Sequence, residues 1–542
     1  MKREDLIAPE KYNIVMEFEK HLDTKADTIA IDYRDSEGNK RQVTYAELSE
    51  NVNRVGNALL NAGLKRGDKV LVTVPRIVEA YEVYLACLKT GIIIIPSSDM
   101  LRTADLQYRV NHSGANGVIT YYPHVEAFEG LEQFEQLKRF TIGQKRDNWL
   151  FLDELKESAS TELEMADTSR DDMAFLPYTS GTTGNPKGVV HAHSWGYAHI
   201  RTVAKNWLDI RDGDKVWATA APGWQKWVWS PFLATLGSGA TAFVYNGKFD
   251  PQVYLTFLQN EGIDVLCCTP TEYRFMAKQD NLADFDLSNL RNALSAGEAL
   301  NVEVIDTFKK YFNINVRDGY GQTENTLLLG IMKDDELRPG SMGKPTPGNI
   351  VEIIDENGNI LPPGEVGDIA LHKDSPALFK EYYKDPERTA KAFRGDFYVT
   401  GDRAKKDEDG YFWFQGRADD IIISSGYTIG PFEVEDALLK HPAVKESAVV
   451  ASPDEMRGTV VKAFIVPKEG VDTSDPNLIP ELQEHVKKYT APYKYPRKIE
   501  FIDELPRTIS GKVRHVELRQ REYERYNQMM QAKNGQFQNK QM

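Results

Sequence analysis

Cysteine is scarce: three in 542 residues, Cys87, Cys267 and Cys268, with no C-x-x-C spacing. That excludes a disulfide scaffold, and neighbouring cysteines such as 267 and 268 rarely bridge each other. The expectation is buried thiols in a reducing compartment. Long apolar runs are also missing. The longest purely aliphatic run, Ile92–Ile95, is far too short to span a bilayer, and Met1-Lys-Arg-Glu-Asp-Leu lacks the apolar core of a signal peptide. A cytoplasmic protein with no membrane span is expected. Positive charge is in deficit, at a net −15, which argues against a general nucleic-acid or anionic-membrane surface. No internal repeat is visible. What remains is ordinary globular composition, 41% apolar and 27% charged, over a length that suits two to four domains.

One stretch stands out, Tyr178-Thr-Ser-Gly-Thr-Thr-Gly-Asn-Pro-Lys-Gly-Val-Val-His191. A Gly/Ser/Thr loop leaving a strand can turn its backbone N–H groups inward on anionic oxygens. Its glycines permit close approach, and Lys187 adds a mobile cation. The Walker pattern is not met, because Pro186 precedes Lys187 and Gly188 follows it. The stretch reads as an anion-binding loop of another kind. His191 and His193, two apart and without further ligand candidates, read as structural rather than metal-binding.

The flanking chain alternates strands and helices. Thr44 and Glu47 form a capping box ahead of a helix, followed by strand Lys69–Val74, helix Ile77–Lys89 and strand Ile92–Pro96. The stretch Glu126–Arg139 is acidic and amphipathic. Beyond the loop come a helix over 194–206 and strands at 215–220, 265–269, 292–295 and 314–317. Ligands of open α/β sheets bind at the carboxyl ends of strands, so the turns at Ala296-Gly-Glu-Ala-Leu300 and Asp318-Gly-Tyr-Gly-Gln-Thr-Glu324 converge on one expected site. Gly223-Trp-Gln-Lys-Trp-Val-Trp229 holds three of the chain's eight tryptophans. It reads equally as a core face and as an aromatic wall of an apolar pocket.

From residue 340 the texture becomes antiparallel β with Gly/Pro turns, including a strand that ends at Asp402. After Gly416-Arg-Ala-Asp-Asp420, a helix starting at Pro431 and three strands suggest a separate small domain. The fold class is therefore α/β. A large N-terminal domain (1–418) has mainly parallel sheets with helices plus a β-rich subdomain. A small mobile α+β C-terminal domain (419–526) follows, then a flexible tail (527–542) rich in Gln, Asn and Lys.

Six motifs occur in a set order: Tyr178–Gly188, Gly297-Glu-Ala299, Tyr320-Gly-Gln-Thr-Glu324, Tyr398-Val-Thr-Gly-Asp402, Gly416–Asp420 and Pro506-Arg-Thr-Ile-Ser-Gly-Lys512. Together they resemble the adenylate-forming superfamily of acyl-CoA synthetases, adenylation domains and luciferases. Ser425–Glu435 and Pro453–Gly458 look most like the acetyl-CoA and medium-chain acyl-CoA synthetases. The resemblance implies ATP, Mg²⁺ and coenzyme A, with a carboxylic acid as the acyl donor.

The same resemblance assigns residues. Thr179, Ser180, Gly181, Thr182, Thr183, Gly184 and Lys187 would hold the β- and γ-phosphates. Thr323 would meet the α-phosphate and Glu324 the Mg²⁺. Gly297, Glu298, Ala299, Asp318, Gly319, Tyr320 and Gln322 would frame the nucleotide. Asp402 would accept from the ribose, supported by Arg417. Lys512 would be the essential cation, Asp419 the hinge, and Gly426 would border the coenzyme A tunnel. Trp224, Trp227 and Gly321 would shape the acyl pocket. Acetate-specific relatives carry Trp where this chain has Gly321, which implies an acid larger than acetate, short-to-medium or branched. Thr428 stands where a basic residue is usual. The rival functions are acyl transfer to a carrier protein and non-catalytic nucleotide binding on the same fold.

Overall fold

The computed structural model describes residues 1–179, 185–297, 300, 302–417, 420, 422–506 and 513–539. The chain divides into two compact units. One comprises Met1–Thr179 and Lys187–Gly416; the other is chiefly Arg417–Met542.

The large unit contains three main sheets. In the first, Ile93–Pro96, Lys69–Thr73, Gly117–Tyr121 and Lys138–Ile142 run parallel, and His191–Ala192 closes one side antiparallel to Met173–Phe175. The second has nine strands. Its central run, Val316–Gly321, Asn292–Ala296, Val265–Cys268, Lys215–Ala218, Thr241–Asn246 and Ile29–Asp35, is entirely parallel. Strands covered on both faces must be apolar throughout, and Val265-Leu-Cys-Cys268 is buried at every position. All three cysteines are free and buried there or in the first layer, as their scarcity suggests. The third sheet is antiparallel and includes Val351–Ile354, Val366–His372 and Phe397–Lys406.

The helices start where local chemistry allows. Thr44 accepts from the Glu47 N–H while the Glu47 carboxylate accepts from the Thr44 N–H. Thr269 and Glu272 repeat that arrangement ahead of helix Pro270–Ala277. Each reciprocal cap satisfies two orphan donors of a first turn.

Two expectations change. The strand expected at 314–317 is Val316–Gly321, so Asp318 to Gly321 are strand rather than turn. Their backbone is paired on both sides, by Asn292–Ala296 and Leu327–Gly330. The strand expected to end at Asp402 continues to Lys406. Gly401, at φ +80°, sits in a bulge where Thr400 to Asp402 face Ile369 alone. The extra residues turn Asp402 out of the ladder. The stretch 126–139, expected only as acidic and amphipathic, holds helix Glu126–Glu129 and a 3-10 turn Phe134–Gln136 before strand Lys138–Ile142.

The smaller unit packs helices Pro431–Leu439 and Leu478–Tyr489 on strands Val444–Asp454, Gly458–Pro467 and Lys498–Phe501. Residues 527–539, expected as a flexible tail, continue helix His515–Asn539. Gln, Met, Ala and Lys all have good helix propensity, so polar composition did not separate coil from helix here.

Candidate active site

The glycine-rich stretch is bracketed by two short strands. Lys187 pairs with Thr179 and Gly188 with Tyr178. Ser180, Gly181, Thr182, Thr183 and Gly184 lie outside the described residues. At the rim, the buried Thr179 hydroxyl has no hydrogen-bond partner among the described residues. Lys187 directs its ammonium to 3.6 Å from Glu324 Oε1, and 4.8 Å above the Tyr382 ring. Thus the loop's cation and the turn's carboxylate, 137 positions apart in the chain (324 minus 187), share one locus.

The turn after strand Val316–Gly321 is held from several directions. Tyr382 donates its hydroxyl to Glu324 Oε1 at 2.9 Å, and burial with this carboxylate keeps the phenol protonated. The Phe379 N–H donates to the Glu324 carbonyl at 2.7 Å. Asn325 Oδ1 accepts from the Gln322 N–H at 2.9 Å. His191 Nε2 donates to the Thr323 carbonyl at 2.5 Å.

A second cluster forms at the bulge. Asp402 accepts from the Tyr320 hydroxyl at 2.7 Å and from Gln322 Nε2 at 3.3 Å. Gln322 Nε2 also reaches the Thr400 carbonyl, and Tyr398 donates to Gln322 Oε1. Asp318 is different in kind: burial pushes its carboxyl up to about 8, so it is largely neutral near pH 7. Gly319 has no room for a side chain, since a Cβ there would meet the Trp207 ring at 2.5 Å. Gly297, at φ +115°, ends strand Asn292–Ala296 beside open space. Glu298 and Ala299 lie outside the described residues, as does the Arg417 side chain.

The tryptophan stretch divides by role. Trp227 is buried against Tyr81, Tyr84 and Phe232 and belongs to the core. Trp229 turns the other way. Gly321 faces it so closely that a Cβ at 321 would come within 2.6 Å of the Trp229 ring and collide with the Thr326 carbonyl. An indole from another element therefore stands against the position where the tryptophan is missing. Trp224 is half-buried at the start of this segment. The segment itself is π-helical over Val228–Ala234, with Pro231 inside. Proline offers no N–H to a regular helix, and such wide turns recur at functional sites.

In the smaller unit Gly426 sits at a two-residue hairpin joining Ile422–Ser424 to Tyr427–Ile429. Ser425 and Gly426 both have positive φ, 52° and 79°, as a type I′ turn requires. Arg457 Nη1 donates to Ser425 Oγ at 2.9 Å. A cation therefore stands at this hairpin although position 428 is Thr. Asp419 and Lys512 lie outside the described residues.

Sequence reasoning missed Tyr382, Tyr398 and Lys226. The ammonium of Lys226 is buried with no hydrogen-bond partner among the described residues, 5.0 Å over Trp207 and 5.9 Å over Trp229. A lysine within a tryptophan-rich run was the available signal. Tyr398 opens one of the six motifs but was given no role, and nothing marked Tyr382; both come from the antiparallel part of the unit. Among the described residues no group of three or more His, Cys, Asp or Glu side chains is placed to hold a metal. No described helix is long and apolar enough to cross a membrane.

The pattern of AMP-binding enzymes matches residues 18–383, and that of the AMP-binding enzyme C-terminal domain matches residues 433–512. An uncharacterized acyl-CoA ligase of Bacillus subtilis is 59% identical, covering 96% of this chain and 98% of that protein. The mitochondrial acyl-coenzyme A synthetase ACSM3 of Rattus norvegicus is 44% identical, covering 90% and 86% respectively. The crystal structure of the anthranilate CoA ligase AuaEII in complex with anthranoyl-AMP is 29% identical with a TM-score of 0.74, covering 97% of this chain and all of that one. With both patterns matched in order over this site, the chain belongs to the AMP-binding enzyme family.

Proposed function

We propose that this protein is an AMP-forming acyl-CoA synthetase that works in the cytoplasm on a short-to-medium or branched aliphatic acid. The observation that carries the reading is the convergence of Lys187, Glu324 and Tyr382 beside the glycine-rich loop, with Asp402 and Tyr320 beyond it. In the first half-reaction a carboxylate oxygen attacks the α-phosphorus of ATP and the Pα–O–Pβ bond breaks, releasing pyrophosphate. In the second, the sulfur of coenzyme A attacks the acyl carbon, the bond to AMP oxygen breaks, and the thiol proton leaves to solvent. The adenylate intermediate turns a poor acyl donor into a good one.

The first step brings two anions together, so it rests on positioning and charge. Lys187 and the loop hydroxyls of Thr179, Ser180, Thr182 and Thr183 hold the leaving pyrophosphate. Thr323 donates at the α-phosphate. Asp402 accepts from the ribose, and Gly297 to Ala299 with Asp318 to Tyr320 frame the adenine. Glu324 would supply a carboxylate ligand to Mg²⁺, an ion that keeps waters and shares phosphate oxygens. Bound there, Mg²⁺ would neutralise phosphate charge. Lys512, from the smaller unit, neutralises the α-phosphate and carboxylate. Asp419 is the hinge, Gly426 borders the coenzyme A tunnel, and Arg457 takes the place of a basic residue at 428.

Apolar size selection follows from Trp229 against Gly321, which bounds the acyl space with an indole from a different element than in acetate-specific relatives. The test is pyrophosphate release over straight acids from C2 to C12 and branched acids, with native protein and Lys512→Ala. The expected best substrate exceeds acetate, and Lys512→Ala lowers adenylation by about 10²-fold or more. Acetate as the best acid would reject the size argument. Full adenylation by Lys512→Ala would reject the role of Lys512. Release of AMP only with a phosphopantetheinyl carrier, and not with coenzyme A, would favour the carrier-protein reading.

A further inference from the structure

His191 is fully buried and touches the turn assigned to the triphosphate. It is the first of a row. His191, Trp195 and His199 are four residues apart, so in and just before helix His193–Val203 they rise along one face. Their rings touch in sequence: His191 to Trp195 at 4.4 Å and tilted by 33°, Trp195 to His199 stacked at 4.9 Å, and His199 to Trp229 at 5.1 Å and tilted by 46°.

Each ring also bonds to a different point of one short segment. His191 Nε2 donates to the Thr323 carbonyl at 2.5 Å. Trp195 Nε1 donates to the Asn325 carbonyl at 2.9 Å. His199 Nε2 donates to the Trp229 carbonyl at 3.1 Å, so its Nδ1 accepts from the Thr326 hydroxyl at 2.7 Å. Burial holds both imidazoles neutral, and each bond demands one tautomer. His191 Nδ1 has no partner among the described residues, so the Thr323 carbonyl is that ring's one described hydrogen bond. His193 takes no part; its Nδ1 accepts from the Ile14 N–H on another side.

We infer that His191, Trp195 and His199 are positioning residues that set the register of Thr323 and Glu324 for adenylation, with the acyl-side Trp229 held by the far end of the same row. Three of the four residues from Thr323 to Thr326 are bonded from one face that begins at His191 and continues along helix His193–Val203, in addition to the bonds within their own turn. The inference rests on Thr323 and Glu324 acting at the triphosphate, as proposed above. A shift of Thr323 would misplace a donor at the α-phosphate without removing any group that binds ATP.

The experiment compares two half-reactions in full-length His191→Phe, Trp195→Phe and His191→Gln. His191→Phe and Trp195→Phe keep a ring and lose the donor; His191→Gln keeps an N–H donor. Pyrophosphate exchange reads adenylation, and supplied acyl-adenylate plus coenzyme A reads thioester formation. The expectation for His191→Phe is a fall of about 10²-fold in kcat for exchange, the size of effect known for small misplacements. KM for ATP should change less than about threefold, thioester formation should persist, and His191→Gln should recover most of the loss. Equal loss in both half-reactions, or exchange that is unchanged, overturns the inference. If His191→Phe does not fold, Trp195→Phe carries the same expectation and the same overturning results. Glu324→Gln separates the two levels: if it retains full exchange, the reading of the turn fails; if it loses exchange while His191→Phe and Trp195→Phe do not, only the positioning row fails.

Discussion

Trp227 and Trp229 are two residues apart and both buried in the same apolar core, yet their immediate neighbours differ. Around Trp227 the neighbours are Tyr81, Tyr84 and Phe232, edge-on or stacked at 4.8 to 5.2 Å. Around Trp229 they are His199, Gly321 and Lys226, and polar atoms of Trp229, Lys226 and Gln225 lack partners among the described residues. Buried polar atoms are normally satisfied, because leaving one unpaired costs about 1–3 kcal/mol. The Tyr84 hydroxyl beside Trp227 is also unpartnered among the described residues, so the difference is one of number, one such atom there against four on Gln225, Lys226 and Trp229. On the proposed reading Trp229 borders the acyl space and Trp227 is framework.

The comparison can be broken at either tryptophan. Trp227→Ala has the largest expected effect, about 3–5 kcal/mol of stability, typical for deleting a buried indole. A shift in denaturation midpoint with an unchanged ranking of acids supports the contrast; a changed ranking in a protein of native stability would dissolve it. For Trp229→Ala the expected change is in selectivity. Acids one or two methylenes longer should gain about 10-fold or more in kcat/KM relative to the native optimum. An unchanged optimum would mean that Trp229 is framework too.

Asp318, on the polar side of the same region, sets how stability changes with pH. Its carboxyl is held up to about 8 by burial, opposed in part by Lys226. The folded state therefore keeps a proton that the unfolded chain, titrating near 4, gives up. Stability from this group is present at low pH and is lost progressively between about 4 and about 8. Asp318→Asn should flatten that slope, seen as denaturation midpoints that differ from native protein at pH 8 more than at pH 5. A parallel pair of curves would show that Asp318 is ionised when folded.

Much of the architecture was legible because it is local. The Thr44 and Glu47 cap and the buried strand Val265–Cys268 each announce themselves within a few residues. Strand ends were not legible. Asp318 to Gly321 look like a turn until Leu327–Gly330 pairs beside them, and Lys138–Ile142 becomes a strand only because Gly117–Tyr121 lies alongside. Pairing partners are chosen by the sheet, not by the segment.

The candidate site shows the same limit. The resemblance carried by the ordered motifs proposed Lys187, Glu324 and Asp402 as site residues without any coordinates. Only the tertiary structure decided what surrounds them. It set Tyr382 on Glu324 and Tyr320 on Asp402. It set an indole 92 positions earlier (321 minus 229) against Gly321. It also made His191 part of a clamp on Thr323. The physical reason is range. Composition, spacing and backbone preference act over a few residues, whereas hydrogen bonds and steric exclusion between distant segments exist only once the sheets have brought them together.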